Sequence, residues 1–183
     1  MGSITRSLAR KVCLLGDFAV GKTSLVRHFV EGRFDERYLS TIGVKVDRKV
    51  LYIPASSGTL QLTLMLWDLA GGPERSSMAP SYYRGAAAAI IACDLTRPET
   101  LSGLAVYAQE FLAVNPSARI VMAANKVDLV DDRHVSDDDL ATAASEHDAP
   151  LFLTSAKTGE RVDAMFQHLG VLLISEHSPQ IIP

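Results

Sequence analysis

Gly16-Asp17-Phe18-Ala19-Val20-Gly21-Lys22-Thr23 fits the spacing GxxxxGK[ST]. These residue types suit an anion with several oxygens. Glycines let successive backbone N–H groups close around phosphate oxygens. A helix beginning directly afterwards adds the positive potential of its N-terminus. Lys22 can reach the β- and γ-phosphates of a nucleotide, and the Thr23 hydroxyl can bind Mg²⁺. Nucleotide contacts are therefore expected from Asp17, Phe18, Ala19, Val20, Gly21, Lys22, Thr23 and Ser24.

Such a loop alone leaves ATPases and P-loop kinases open. Asn125-Lys126-Val127-Asp128 narrows the choice. The Asp128 carboxylate can accept two hydrogen bonds from the N1–H and N2–H₂ edge of guanine, which adenine lacks. Asn125 can bond the base edge and neighbouring loops, and the Lys126 stem can lie on the ring face. Thr154-Ser155-Ala156-Lys157 supplies a second wall. There the Ala156 N–H can meet guanine O6, Lys157 can stack, and Ser155 belongs to the same motif. A solvated turn also favours Asn, Lys and Asp, so the argument rests on both motifs following the phosphate loop in order. Between the phosphate loop and Asn125 stands Trp67-Asp68-Leu69-Ala70-Gly71. Asp68 can hold Mg²⁺ through water, and Gly71, without a side chain, can bring its N–H to a γ-phosphate. Thr41 carries a hydroxyl that can ligate Mg²⁺ only when a γ-phosphate is present. The expected metal ligands are thus Thr23, Thr41 and Asp68. Both loops would be ordered by triphosphate and released after hydrolysis.

These groups must converge, and the surrounding pattern shows how. Short apolar runs alternate with helical periodicity, which predicts an α/β fold with a mostly parallel sheet and helices on both faces. Strands are expected at residues 11–15, 86–93, 120–124 and 151–153. Two alternating runs, with Val44, Val46, Val50 and Tyr52 in the first and Leu60, Leu62, Leu64 and Leu66 in the second, predict an antiparallel hairpin. Helices are expected from Lys22, over 99–114, after a Ser136 cap, and at the carboxyl end. The 183 residues make one domain. It is expected over 10–176, with an extension at 1–9 and a tail at 177–183. A net charge of −3 gives no reason to expect nucleic acid as a partner. Cys13 and Cys93 sit in apolar runs and read as buried small hydrophobes in a reducing cytosol. The five histidines lack metal-ligand spacing.

With these motifs in order, the chain resembles the Ras superfamily of small GTPases, most nearly the Rab family. The likeness runs from about residue 10 to 175. The Rab character comes from Ser40-Thr41-Ile42-Gly43-Val44, from Trp67-Asp68, and from Pro80-Ser81-Tyr82-Tyr83-Arg84-Gly85-Ala86. The resemblance implies a Ras-like P-loop fold of six strands, one of them an antiparallel edge strand. It also implies Phe34 against the guanine edge, and GTP, GDP and Mg²⁺ as ligands. Effectors, exchange factors and GTPase-activating proteins would meet the loops at 31–41 and 68–81.

Departures from the family bear on activity. Rab-like chains usually read Ala-Gly-Gln-Glu where this one reads Ala70-Gly71-Gly72-Pro73. Gly72 therefore stands where a water-orienting amide is usual. Phe18 replaces a small residue and would crowd both the γ-phosphate and an incoming arginine finger. Val46 replaces the usual Phe. The end, Gln180-Ile181-Ile182-Pro183, has no cysteine, so no prenyl anchor is expected on this stretch. Catalysis is expected to rest on Lys22, Thr41, Gly71 and Gly72, and to be slow. Glu74 and Arg37 are candidates to substitute for the missing amide. The expected function is a monomeric, cytoplasmic GTP/GDP switch in vesicle trafficking or a Rab-like regulatory role. The competing reading is a GTP-loaded binding module with negligible hydrolysis.

Overall fold

The computed structural model describes residues 4–35, 41–55, 58–71 and 79–175. Six strands form one sheet: β1 (Ile4–Gly16), β2 (Val44–Ala55), β3 (Gly58–Leu69), β4 (Ala88–Asp94), β5 (Arg119–Asn125) and β6 (Leu151–Thr154). Their order is β2-β3-β1-β4-β5-β6. Among the described residues, only β2 runs antiparallel, against β3; the other pairings there are parallel. Five helices connect them: α1 (Lys22–Glu31), α2 (Ala79–Tyr83), α3 (Leu101–Val114), α4 (Asp137–Ser145) and α5 (Val162–Ser175). This is the six-stranded, mostly parallel α/β arrangement that the resemblance implies.

The sheet is covered on both sides, so its central strands read as unbroken apolar runs. All seven residues of β4 are buried. On one face, Leu25, Val26 and Phe29 of α1 and Phe166, Leu169 and Leu173 of α5 pack over Leu62, Leu64 and Ile90. Phe29 and Phe166 stack with ring centroids 3.9 Å apart. On the other, Leu104, Tyr107 and Phe111 of α3 and Leu140 of α4 meet Leu15, Ile91 and Met122. Ser136 caps α4, its hydroxyl accepting from the Asp139 N–H. Cys13 and Cys93 are buried free thiols, and burial pushes each up to about 12, which keeps them protonated and unreactive.

The structure differs from the sequence expectation at three places. The first strand begins at Ile4, not residue 11, because residues 4–9 pair with β3 from Thr59 onward. In β2 the alternation is inverted. Leu51 and Ile53 are buried under α5, while Val46 and Tyr52 are 44% and 60% exposed. Lys49 shares the inner face, with its Nζ donating to the Val30 carbonyl. The third helix starts at Leu101, after a 3₁₀ turn over Pro98–Thr100, since Pro98 favours a tight first turn.

Candidate functional site

Five parallel strands end on one edge, and their terminal residues carry the chemistry. Gly16, Asp68, Asp94, Asn125 and Thr154 lie at or next to the carboxyl ends of β1, β3, β4, β5 and β6. Ligands of open α/β sheets bind on this edge. Here it holds a cleft of ≈ 390 Å³. Phe18, Ala19, Gly21, Lys22, Thr23, Ser24, Phe34, Thr41, Gly71, Asn125, Lys126, Asp128, Ala156 and Lys157 line it, with Arg27, Asp35 and Leu129 at its margin.

The glycine-rich turn is shaped by what its carbonyls bond. Lys22 is only 6% exposed, and its Nζ donates to the carbonyls of Gly16 and Asp17, both at 2.8 Å. Asn125 Nδ2 donates to the Val20 carbonyl at 2.9 Å. With the oxygens engaged, the amides of the turn are left for an anion. Gly21 adopts φ 105°, and a Cβ there would stand 2.2 Å from Asn125 Nδ2, so only glycine fits. Val20 is fully buried. The Asp17 side chain turns away from the cleft, its Oδ1 accepting from the Tyr107 hydroxyl at 3.0 Å.

Thr23, Thr41 and Asp68 converge. The Thr23 hydroxyl donates to Asp68 Oδ2 at 2.5 Å and shares a hydrogen bond with the Thr41 hydroxyl at 2.7 Å. Asp68 is fully buried, and burial is the main reason its carboxyl is raised above the usual value. Its Oδ1 is buried without a partner. Two hydroxyls and a carboxylate with a spare oxygen form a hard-oxygen set of the kind that suits Mg²⁺, which completes its shell with phosphate and water. Gly71 packs against the phosphate loop beside Lys22. A Cβ on it would lie 2.5 Å from Lys22 Nζ and 2.6 Å from the Asp17 carbonyl oxygen.

At the far end Asp128 is held from behind. The Ser155 hydroxyl donates to Asp128 Oδ1 at 2.6 Å and accepts from the Thr158 N–H at 3.0 Å. Ser155 is fully buried, so it orients the carboxylate without facing the cleft. Asn125 Oδ1 accepts from the Ala156 N–H at 3.1 Å and from the Thr154 hydroxyl at 3.3 Å. Asn125 thus ties the phosphate loop to the segment after β6. Lys126 sits at φ 71° and pairs its Nζ with Asp94 Oδ2 at 2.6 Å.

A sequence model described as "Ras family" matches residues 11–174. The chain belongs to the Ras family. Within it, the chain is similar to Ras-related protein Rab5A of Oryza sativa subsp. japonica, at 36% identity over 94% of this chain and 84% of that protein. Ras-related protein RABF2b of Arabidopsis thaliana is 39% identical over 90% and 81% of the two chains. Ras-related protein Rab-22A of Homo sapiens is 39% identical over 85% and 79%. This is a Rab-like small GTPase of the Ras superfamily.

Against that family background, two residues that sequence reasoning passed over stand out. Asp94 is fully buried at the end of β4 and accepts from Thr96, Arg97 and Lys126. Burial pushes its carboxyl up, but the bonds from Lys126, Thr96 and Arg97 together hold it below the usual value. Arg97 reaches from this carboxylate to the Phe18 carbonyl, where its Nη2 donates at 2.7 Å. Their only signal in the sequence was a charge ending an apolar run. Phe18 itself projects into the cleft and is 48% exposed. Gly72, Glu74 and Arg37 lie outside the described residues. So do the loop segments 36–40 and 72–78, where much of the expected partner surface falls. Among the described residues, no helix is long and apolar enough to cross a membrane.

Proposed function

We propose that the protein is a Mg²⁺-dependent GTP/GDP switch with slow intrinsic hydrolysis. Its output is protein binding governed by the loops at 31–41 and 68–81, and its setting is a Rab-like role in vesicle trafficking from the cytoplasm. The observation that carries the reading is one cleft holding three sets of groups. Lys22 serves the phosphates; Thr23, Thr41 and Asp68 gather oxygens for a cation; Asp128, fixed by Ser155, faces the base.

In this reading the amides of residues 17–24 wrap the phosphates, with Lys22 neutralising the β- and γ-oxygens. Asp128 recognises guanine and Phe34 flanks it. Lys126, Ala156 and Lys157 complete the base wall, and Asn125 and Ser155 act from behind. When bound at Thr23, Thr41 and Asp68, Mg²⁺ supplies positive charge to the phosphate oxygens. Thr41 and Gly71 approach this point from two separate loops, so loss of the γ-phosphate removes what both loops share. Hydrolysis joins water to the γ-phosphorus and breaks its bond to the β-γ bridging oxygen, giving GDP and phosphate. Positioning supplies nearly all of that catalysis, and an arginine finger alone is worth ~10³–10⁵ in rate. Gly72 has no side chain to orient the water, and Phe18 occupies space such a finger would use.

The exposed Phe18 ring also favours a second reading, a GTP-loaded binding module with negligible hydrolysis. The nucleotide that copurifies, together with single-turnover rates of wild type, Gly72→Gln and Gly72→Gln/Phe18→Gly, tests both. Bound GDP and a slow wild-type rate that rises with each substitution support the switch. Bound GTP with no measurable turnover supports the module. Wild-type hydrolysis at the usual family rate, untouched by Glu74→Ala and Arg37→Ala, overturns the proposed catalysis.

A further inference from the structure

We infer that Arg97 and Tyr107 are positioning residues that hold the phosphate loop open toward the nucleotide from outside, and so slow nucleotide release. This rests on the guanine-nucleotide reading above. The argument starts from the peptide unit between Phe18 and Ala19. A trans peptide points its C=O and N–H in opposite directions. A donor that fixes the Phe18 oxygen outward therefore fixes the Ala19 N–H inward, toward the cleft that Ala19 lines. Turned over, the same unit would present a carbonyl oxygen to an anion.

The loop does not hold this shape by preference alone. Ala19 adopts φ 60°, a left-handed conformation costly for a residue with a Cβ. Lys22 secures the carbonyls of Gly16 and Asp17, and Asn125 secures that of Val20. The Phe18 carbonyl is secured by Arg97, at 2.7 Å across 79 residues of sequence. Arg97 is itself aimed, because its Nε donates to the fully buried Asp94 carboxylate at 3.0 Å. The same Asp94 oxygen receives Lys126 from the base wall. One carboxylate thus ties the base side of the cleft to the phosphate side.

Tyr107 acts one residue earlier. Asp17 puts a carboxylate in a loop that must hold anions. The Tyr107 hydroxyl donates to its Oδ1 at 3.0 Å and keeps that charge against α3. Gly103 leaves the room for it, since a Cβ there would lie 3.2 Å from Asp17 Oδ2.

The test compares association and release of fluorescent GDP in Mg²⁺ buffer for wild type, Arg97→Ala, Arg97→Lys, Tyr107→Phe and the control Glu99→Gln. Charge-assisted hydrogen bonds set the expected scale. Arg97→Ala should speed release roughly tenfold and Tyr107→Phe about threefold, with association changed less than about twofold in each. Arg97→Lys, which keeps the cation, should recover part of the loss, and Glu99→Gln should match wild type. In the GDP complex the Ala19 amide proton resonance should move in Arg97→Ala, as expected when its bond to phosphate weakens; a merely structural arginine would not select that amide. Release within twofold of wild type in both Arg97→Ala and Tyr107→Phe overturns the inference while leaving guanine binding intact. Wild-type protein that retains no guanine nucleotide overturns the functional reading and this inference with it.

Discussion

Removing the Asn125 side chain should weaken nucleotide binding without changing which base is preferred. Asn125 is 1% exposed and makes three bonds to protein groups: a donor bond to the Val20 carbonyl and acceptor bonds from the Ala156 N–H and the Thr154 hydroxyl. The amide orientation is forced, because a carbonyl faces one end and an N–H the other. Asn125→Ala strands all three partners. A buried polar group left without a partner costs ~1–3 kcal/mol. Three such groups, partly relieved by water entering the space, give about 3–6 kcal/mol. Part of that falls on nucleotide affinity, because Val20 belongs to the phosphate loop and Ala156 to the base wall. Affinity for GDP should fall about a hundredfold or more, at ~1.4 kcal/mol per tenfold.

Calorimetric titration with GDP and with inosine diphosphate separates this scaffold role from direct base contact. Inosine lacks the exocyclic amine that Asp128 is placed to accept from. Asn125→Ala should therefore weaken both ligands in similar proportion, whereas Asp128→Ala should erase the preference for GDP. A loss of less than tenfold in Asn125→Ala, or a collapsed GDP-to-IDP ratio in that variant, would refute the reasoning.

Three further outcomes follow from the same geometry. Thr23→Asn should keep GDP and weaken GTP, because the hydroxyl belongs to the oxygen set that meets the γ-phosphate side; equal loss for both nucleotides in titration would remove Thr23 from the cation site. Gly71→Ala should abolish any difference in hydrogen exchange at residues 68–71 between GDP and a GTP analogue, since the added Cβ meets Lys22 and the Asp17 carbonyl; an undiminished difference would count against closure at Gly71. Asp94→Asn should lower the thermal midpoint near pH 7 by about 6–20 °C, the scale of breaking a buried ion pair in a chain this long. The Asp94 carboxyl is held below its ordinary value, so its stabilisation is present above the ordinary carboxylate range and is lost as pH falls through the depressed value. The gap between wild type and variant should accordingly narrow on acidification, and melts that stay parallel down to pH 3 would contradict it.

What the sequence could show followed from the range of each interaction. The turn at 16–23 was legible because glycines, lysine and threonine act within one loop, and the strand before and the helix after are local. The meeting of Asn125–Asp128 with Ser155 and Ala156 was legible because both motifs follow buried strands. The inverted face of β2 was not, since Val46, Tyr52, Leu51 and Ile53 are all apolar and alternation alone cannot say which set meets a helix. That is decided by α5, more than a hundred residues later, which covers Leu51 and Ile53. Arg97 and Tyr107 were hidden for the same reason. An arginine after an apolar run looks like a solvated charge until the fold brings it to the Phe18 carbonyl.

The division between backbone and side chain explains how this chain can depart from its family and keep a nucleotide site. Binding, on the proposed reading, uses amides of the phosphate loop and side chains that are buried and bonded from behind: Lys22 at 6% exposure, Asn125 at 1%, Asp68 and Ser155 at 0%. Replacing a small residue by Phe18 leaves that machinery in place. Its carbonyl is bonded by Arg97 while its half-exposed ring lines the mouth of the cleft. Catalysis, on the same proposed reading, draws instead on side chains that face the reacting water, and there the sequence has Gly72 and Phe18. Affinity and turnover are thereby separable in this fold. On the proposed reading, a change confined to positions 18 and 72 would slow hydrolysis while the groups that hold the nucleotide remain the same.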